Sequence, residues 1–204
     1  MEVRFIQIPS TAEEYLIRVK ERSALLDCTF AFTAESGFAD AVVRYLDDPG
    51  KLRKLSHVRA ITEAFFAETG IPHPKMQFPV WSRSAAFMTD KGEFSLSLNL
   101  VYGEKKERVL KLLLHELSHF VLLYQPDYVS LLKLDLECRT GGKREFTNIL
   151  TPVELYATML SLGIFSALSE GMPESHRNLF SSLKSEEERK LTKAINNLSS
   201  YTED

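Results

Sequence analysis

The chain has 204 residues, 44% of them hydrophobic and 26% charged, with a formal net charge of −3. That size suits one globular domain over residues 1–204, and a slightly acidic chain with no Lys/Arg block excludes the electrostatic footprint of a nucleic-acid binder. No segment reaches 18 uncharged apolar residues, the first residues lack a basic start before an apolar run, and Cys28 and Cys138 are too few for a disulfide framework, so the expected location is cytoplasmic, off the membrane and with reduced thiols.

In chain order, EVRFIQI reads as a short strand, and Thr11 followed by Glu14 makes a capping box for a helix running to about Leu26. CTFAFT, from Cys28 to Thr33, alternates and reads as a second strand. Ser36 and Gly37 break the chain before FADAVVRYLDD, a short helix ending near Asp48-Pro49-Gly50. From Lys51 to Thr69, Leu55, Val58, Ile61, Ala64 and Phe65 describe an amphipathic helix with Gly70 as its C-cap. His57 within it has no metal-type side chain three or four residues away and reads as an ordinary helix residue. Residues 1–74 therefore form a mainly helical first part.

After Pro72 and Pro74 the period changes, with Met76, Phe78 and Val80 on one side of a strand interrupted by Pro79. Phe94, Leu96, Leu98 and Leu100 alternate with Ser95, Ser97 and Asn99, the pattern of a half-buried strand, preceded by a Lys91-Gly92 turn and a partner near Ala85 to Met88. Gly103 ends that strand, and Glu104 and Glu107 stand in the first turn of the next helix, where carboxylates favour the positive end of the dipole.

That helix, VLKLLLHELSHFVLLY from Val109 to Tyr124, carries an H-E-x-x-H motif at His115, Glu116 and His119. Histidines four residues apart share a helix face and can converge on one metal ion, while the intervening glutamate can reach a water on that ion. Leu110, Leu113, Leu114, Leu117 and Val121 recur at core spacing, so the motif sits on a buried helix. A buried helix gains nothing from three polar groups within five residues unless something pairs them, since each unpaired one costs about 1–3 kcal/mol. Pro126 stops the helix after Gln125.

The second half offers one long polar loop, Cys138 to Asn148, a natural rim or lid. Thr151-Pro152-Val153-Glu154 then leads into LYATMLSLGIFSALS, a second buried helix; a shorter helix starts at Pro173, and the last begins at Ser185 with Glu188 completing a capping box. LKSEEERKLTK within it reads as a mixed-charge helix face. A hydrolytic zinc site needs three protein ligands and an open position. The metzincin spacing would require Gly and His where this chain has Leu122 and Gln125, which excludes that pattern. Glu154 opens the second buried helix after a loop long enough to bring it back to the first, and Ala157 on the same face lets the helices approach. Thr151 and Glu154 also form a capping-box pattern, and Asp127, Asp135, Glu137, Glu145 and His176 are further candidates. Tyr156 and His176 are residue types able to donate to a developing oxyanion.

From Phe94 to Leu162 the chain resembles the gluzincin zinc metallopeptidases, in the short form called minigluzincins. The pieces that carry the resemblance are FSLSLNL, HELSH at 115–119, and ELYAT at 154–158, which is similar to the family's Glu-x-x-Ala-Asp segment. The resemblance implies Zn2+ on His115, His119 and Glu154, Glu116 as general base, and an extended peptide substrate laid along the strand Ser95 to Asn99, with Ser95, Ser97 and Asn99 in contact with it. Thr158 stands where the family commonly has an Asp that orients a ligand histidine. The expected fold is α+β and zincin-like: a small sheet on the active helix within residues 75–168, followed by C-terminal helices over 169–204. The expected activity is zinc-dependent peptide hydrolysis, with no nucleic-acid or membrane partner. The chief alternative is a zinc-binding pseudoprotease that serves as a peptide-binding or regulatory module, and a third reading is a helical protein with no metal at all.

Overall fold

Apolar residues spaced three and four apart dominate the sequence, and helices follow from them. The computed structural model describes residues 2–5, 7–23, 28–31, 37–80, 86–88, 93–140 and 148–200. Over these residues the order is β1 (Glu2–Phe5), α1 (Ala12–Lys20), β2 (Cys28–Ala31), α2 (Gly37–Asp47), α3 (Lys54–Thr69), β3 (Met76–Gln77), β4 (Ala86–Met88), β5 (Phe94–Leu96), α4 (Leu98–Gly103), α5 (Lys106–Leu123), α6 (Tyr128–Thr140), α7 (Pro152–Gly171) and α8 (Glu174–Ser200).

The α+β, zincin-like arrangement expected from the sequence is overturned: the protein is mainly helical, and no described strand exceeds four residues. One sheet is the antiparallel pair β1 and β2, with Val3 opposite Phe30. The other has the order β3-β5-β4, parallel on one side (Met76 opposite Phe94) and antiparallel on the other (Phe87 opposite Ser95). Strands this short cannot carry a core. The Ser/Leu alternation that predicts a strand from 94 to 100 ends at Leu96; Ser97 is the N-cap of α4, which buries Leu100 and Val101 side by side as a strand face would not. The Lys91-Gly92 turn lies outside the described residues.

The core is built by helices. Leu110, Leu113, Leu114, Leu117 and Val121 of α5 are fully buried, and α7 lies along that helix. α8 lies along α7, with Phe180 beside Phe165 at 6.5 Å between ring centroids, and also buries Leu183, Leu191 and Ile195, while α6 packs on α7 as well. α7 is the one described helix long and apolar enough to cross a membrane, and it runs among α5, α6 and α8. Phe120 of α5 meets Phe66 of α3 edge-on at 5.6 Å and Phe94 of β5 at 6.0 Å, which joins the motif helix to the first part of the chain and to the small sheet.

Helix ends follow local chemistry in some places and tertiary contacts in others. Thr11 caps α1 by accepting from the Glu14 N–H at 3.1 Å, and Gly70 closes α3 in the left-handed conformation at φ 66°. The expected helix start at Ser185 is absent: α8 is continuous, and the Ser185 hydroxyl donates to the Ser181 carbonyl one turn back at 2.9 Å. The expected polar loop begins later than Cys138, because α6 runs through Thr140; residues 141–147 lie outside the described part.

Candidate metal centre

α5 places His115 and His119 on one face, four residues apart, so that their Nε2 atoms stand 3.3 Å from each other with the rings nearly perpendicular. α7 brings in the third group: Glu154 Oε2 is 3.3 Å from His115 Nε2 and 3.7 Å from His119 Nε2. The three donor atoms all lie within 4.8 Å of one another and could hold a metal ion. Ligands on a tetrahedral ion with bonds of 2.0–2.2 Å stand about 3.3–3.6 Å apart; the two separations of 3.3 Å fall in that range and the third, 3.7 Å, lies just above it. Two imidazoles and one carboxylate suit zinc and other first-row divalent ions alike, and three protein ligands leave a fourth position open.

Glu154 reaches the histidines because another helix caps its own. Pro152 has no N–H to satisfy, the Val153 N–H donates to Asp135 Oδ1 of α6 at 3.0 Å, and the Leu155 N–H donates to the Thr151 carbonyl at 2.8 Å. The Thr151 hydroxyl accepts from Arg139 Nη2 at 3.1 Å and does not cap its own helix. The Thr151–Glu154 capping box therefore does not form, and the glutamate points to α5.

The electrostatics fit a charged cluster in partial burial. Burial pushes the Glu154 carboxyl up, but hydrogen bonds and charge from His115 and His119 outweigh it and hold the group well below the ordinary carboxylate range. Burial pulls His115 down, and the Glu154 carboxylate, with smaller help from Glu116 and Glu187, outweighs that and raises it. Glu116 is raised, chiefly by burial, although His119 and His115 pull the other way. Its carboxyl stands outside the group of three converging ligand atoms, and the residue is only 9% exposed.

His115 and Glu154 open onto a cavity of about 830 Å³. Leu112, Phe165 and Leu183 give it apolar walls, Thr158 lies one turn beyond Glu154, and Lys111 of α5 and Glu187 of α8 pair directly with each other within its lining. The cavity beside His115 and Glu154 is therefore a cleft among helices.

The residues expected along an exposed strand edge lie elsewhere. β5 is the central strand of its sheet, paired on both sides, so the stretch Ser95 to Asn99 offers no strand edge to a peptide. Ser95 and Ser97 are buried, and Asn99 sits in α4. Tyr156 is fully buried, two residues past Glu154 and so on the opposite side of α7; it takes no part in lining the cleft. His176 Nε2 bonds Asp47 Oδ1 at 2.9 Å, tying the start of α8 to the end of α2 away from the cleft. Among the other carboxylates weighed as third ligand, Asp135 caps α7 and pairs with Arg139, Glu137 accepts from the Ala12 N–H at 3.0 Å, and Glu145 is outside the described residues.

Sequence reasoning missed Lys111 and Glu187. The signal for Lys111 was its position four residues before His115, on the same helix face; Glu187 stood in a mixed-charge stretch that reads as solvent-facing. No protein-family model matches the chain, and no curated protein and no solved structure matches it.

Proposed function

We propose that the protein is a zinc-dependent peptidase whose site resembles that of the gluzincins and is carried on a different, helical scaffold. The observation that carries this reading is the convergence of His115 Nε2, His119 Nε2 and Glu154 Oε2 at separations of 3.3 to 3.7 Å, close to those of ligands on a tetrahedral ion, with His115 and Glu154 lining a cleft. His115, His119 and Glu154 would hold the ion. Zinc, when bound, supplies Lewis acidity toward a carbonyl and makes an attacking water more acidic. Glu116, on the motif helix beside the first ligand, accepts the proton of that water as it adds to the peptide carbonyl carbon. The same carboxyl then delivers the proton to the amide nitrogen as the C–N bond breaks, giving a carboxylic acid and an amine. Burial, which raises the Glu116 carboxyl, brings its basicity closer to that of a group able to take and return a proton near neutrality.

A second reading is favoured by one observation. Thr158 stands where the resembling family has the carboxylate that orients a ligand histidine, and it lines the cleft as a buried hydroxyl-bearing residue. On that reading the chain keeps the metal as a staple and binds peptides without cleaving them. Glu116→Gln in the zinc-loaded full chain separates the two. The peptidase reading expects peptide cleavage to fall by about 10²–10⁴ with zinc content and melting temperature unchanged. The staple reading expects wild type to cleave nothing in a broad peptide library and to melt much lower once zinc is stripped. Retention of one zinc equivalent by both His115→Ala and His119→Ala after dialysis against a mild chelator would sink both.

A further inference from the structure

The face of α5 that ends in the metal histidines is basic over its first turns. Arg108 and Lys111 precede His115 and His119 on one side of the helix, and both line the cleft, as does Lys105 just ahead of the first turn. Lys190 adds a fourth cation from α8, against three carboxylates that are not metal ligands, Glu107, Glu186 and Glu187. A divalent ion on two neutral histidines and one carboxylate would add a further positive charge. The loaded cleft is therefore electropositive, although the whole chain carries a net charge of −3.

Within this lining Lys111 is set apart by its surroundings. Its side chain is 17% exposed, and its ammonium bonds both Glu187 and, at 2.9 Å, Glu186. Lys190 binds the same two carboxylates, at 2.8 Å from Glu186 and 3.0 Å from Glu187. Each glutamate thus has two lysines, and Glu186, 40% exposed, can turn to water while keeping Lys190. A carboxylate arriving on Lys111 would exchange with Glu186 and strand no buried charge. An arriving ammonium that took the place of Lys111 would leave that lysine largely buried without a partner, which is costly.

We propose that Lys111 is the specificity-determining residue of the cleft and that it selects peptides bearing an acidic side chain or terminal carboxylate beside the scissile bond. This rests on the hydrolase reading for the bond cleaved, though not for the binding itself. Glu186 and Glu187 hold the ammonium in place until substrate carboxylate takes over one of its contacts.

The test uses the full chain, zinc-loaded and carrying Glu116→Gln to prevent turnover, with fluorescent peptide pairs differing only in Asp against Asn or Glu against Gln. The acidic member should bind about tenfold more tightly, as a charged acceptor in place of a neutral amide on the ammonium would give, with the margin shrinking as salt is raised. Lys111→Met should abolish that margin, and Lys111→Arg should retain most of it. In active wild type the effect should appear in KM and not in kcat. Equal binding of the two members, a preference that survives Lys111→Met in a folded variant, or no binding by either peptide would overturn the assignment. Acid-selective binding without cleavage by wild type would remove the peptidase reading alone, whereas cleavage indifferent to acidity would remove the Lys111 assignment alone.

Discussion

Asp135 Oδ1 in α6 accepts the Val153 N–H of α7 at 3.0 Å, so the helix that presents Glu154 is capped from a neighbouring helix. The other oxygen of Asp135 pairs with Arg139, which in turn donates to Thr151. α6 thereby fixes where α7 begins and with it the position of the third ligand. Asp135→Ala removes a cap worth about 0.5–2 kcal/mol and a buried partner of Arg139, so unfolding in urea should show a loss of about 1–3 kcal/mol. Zinc affinity measured by chelator competition should weaken in the same variant. If stability falls and zinc affinity does not move, Asp135 stabilises the fold without positioning Glu154.

The helix bearing the motif was legible because two signals agreed: the four-residue histidine spacing and the leucine stripe both place the same residues on defined faces. Gly70 and Thr11 were legible because a left-handed cap and a hydroxyl cap are local chemistry. The strand from 94 to 100 misled because Ser/Leu alternation persists through Leu98 and Leu100, although the burial of Val101 beside Leu100 belongs to a helix. α6 left no stripe to read: Leu131, Leu134 and Cys138 are buried while Val129, Leu132 and Leu136 are exposed, so apolar residues fall on both faces. The break expected in α8 came from a Ser-x-x-Glu pattern that a continuous helix also tolerates when the serine bonds one turn back. The choice between cap and metal face for Glu154 depended on Asp135, a partner in another helix that no local pattern reveals.

Tyr45 of α2 is fully buried, and its hydroxyl has no hydrogen-bond partner among the described residues. Its ring is used: Lys106 Nζ lies 5.6 Å from the ring centroid and His57 packs beside it at 6.2 Å. An unsatisfied buried hydroxyl costs about 1–3 kcal/mol, whereas the ring contacts survive its removal. Tyr45→Phe should therefore leave stability unchanged or raise it by about 1 kcal/mol in chemical denaturation. A loss of more than about 1 kcal/mol would mean that the hydroxyl is bonded, by water or otherwise.

His115 and Glu154 titrate against each other when a chelator keeps metal away, and the two shifts set opposite edges of one pH window. Glu154 is held below its ordinary value of 4.5, so its contribution is present above that pH and is lost as the pH falls through the acid range. His115 is raised above 6.5, so its contribution is complete below that pH and is lost as the pH rises through its folded value. In chelator the stability advantage of wild type over Glu154→Gln should peak between about pH 4.5 and 6.5, at about 1 kcal/mol, since Glu154 is one-third exposed and solvent screens the pair. With saturating zinc the trend should reverse on the alkaline side. The ion needs unprotonated imidazoles, so the stabilisation that zinc gives should grow as the pH rises from 5.5 to 7.5. Melting curves of wild type and Glu154→Gln, with chelator and with zinc across pH 4 to 8, measure both arms. A wild-type advantage in chelator that does not vary with pH would show that His115 and Glu154 are not ion-paired in solution, and the charged triangle proposed as the ligand set would have to be redrawn.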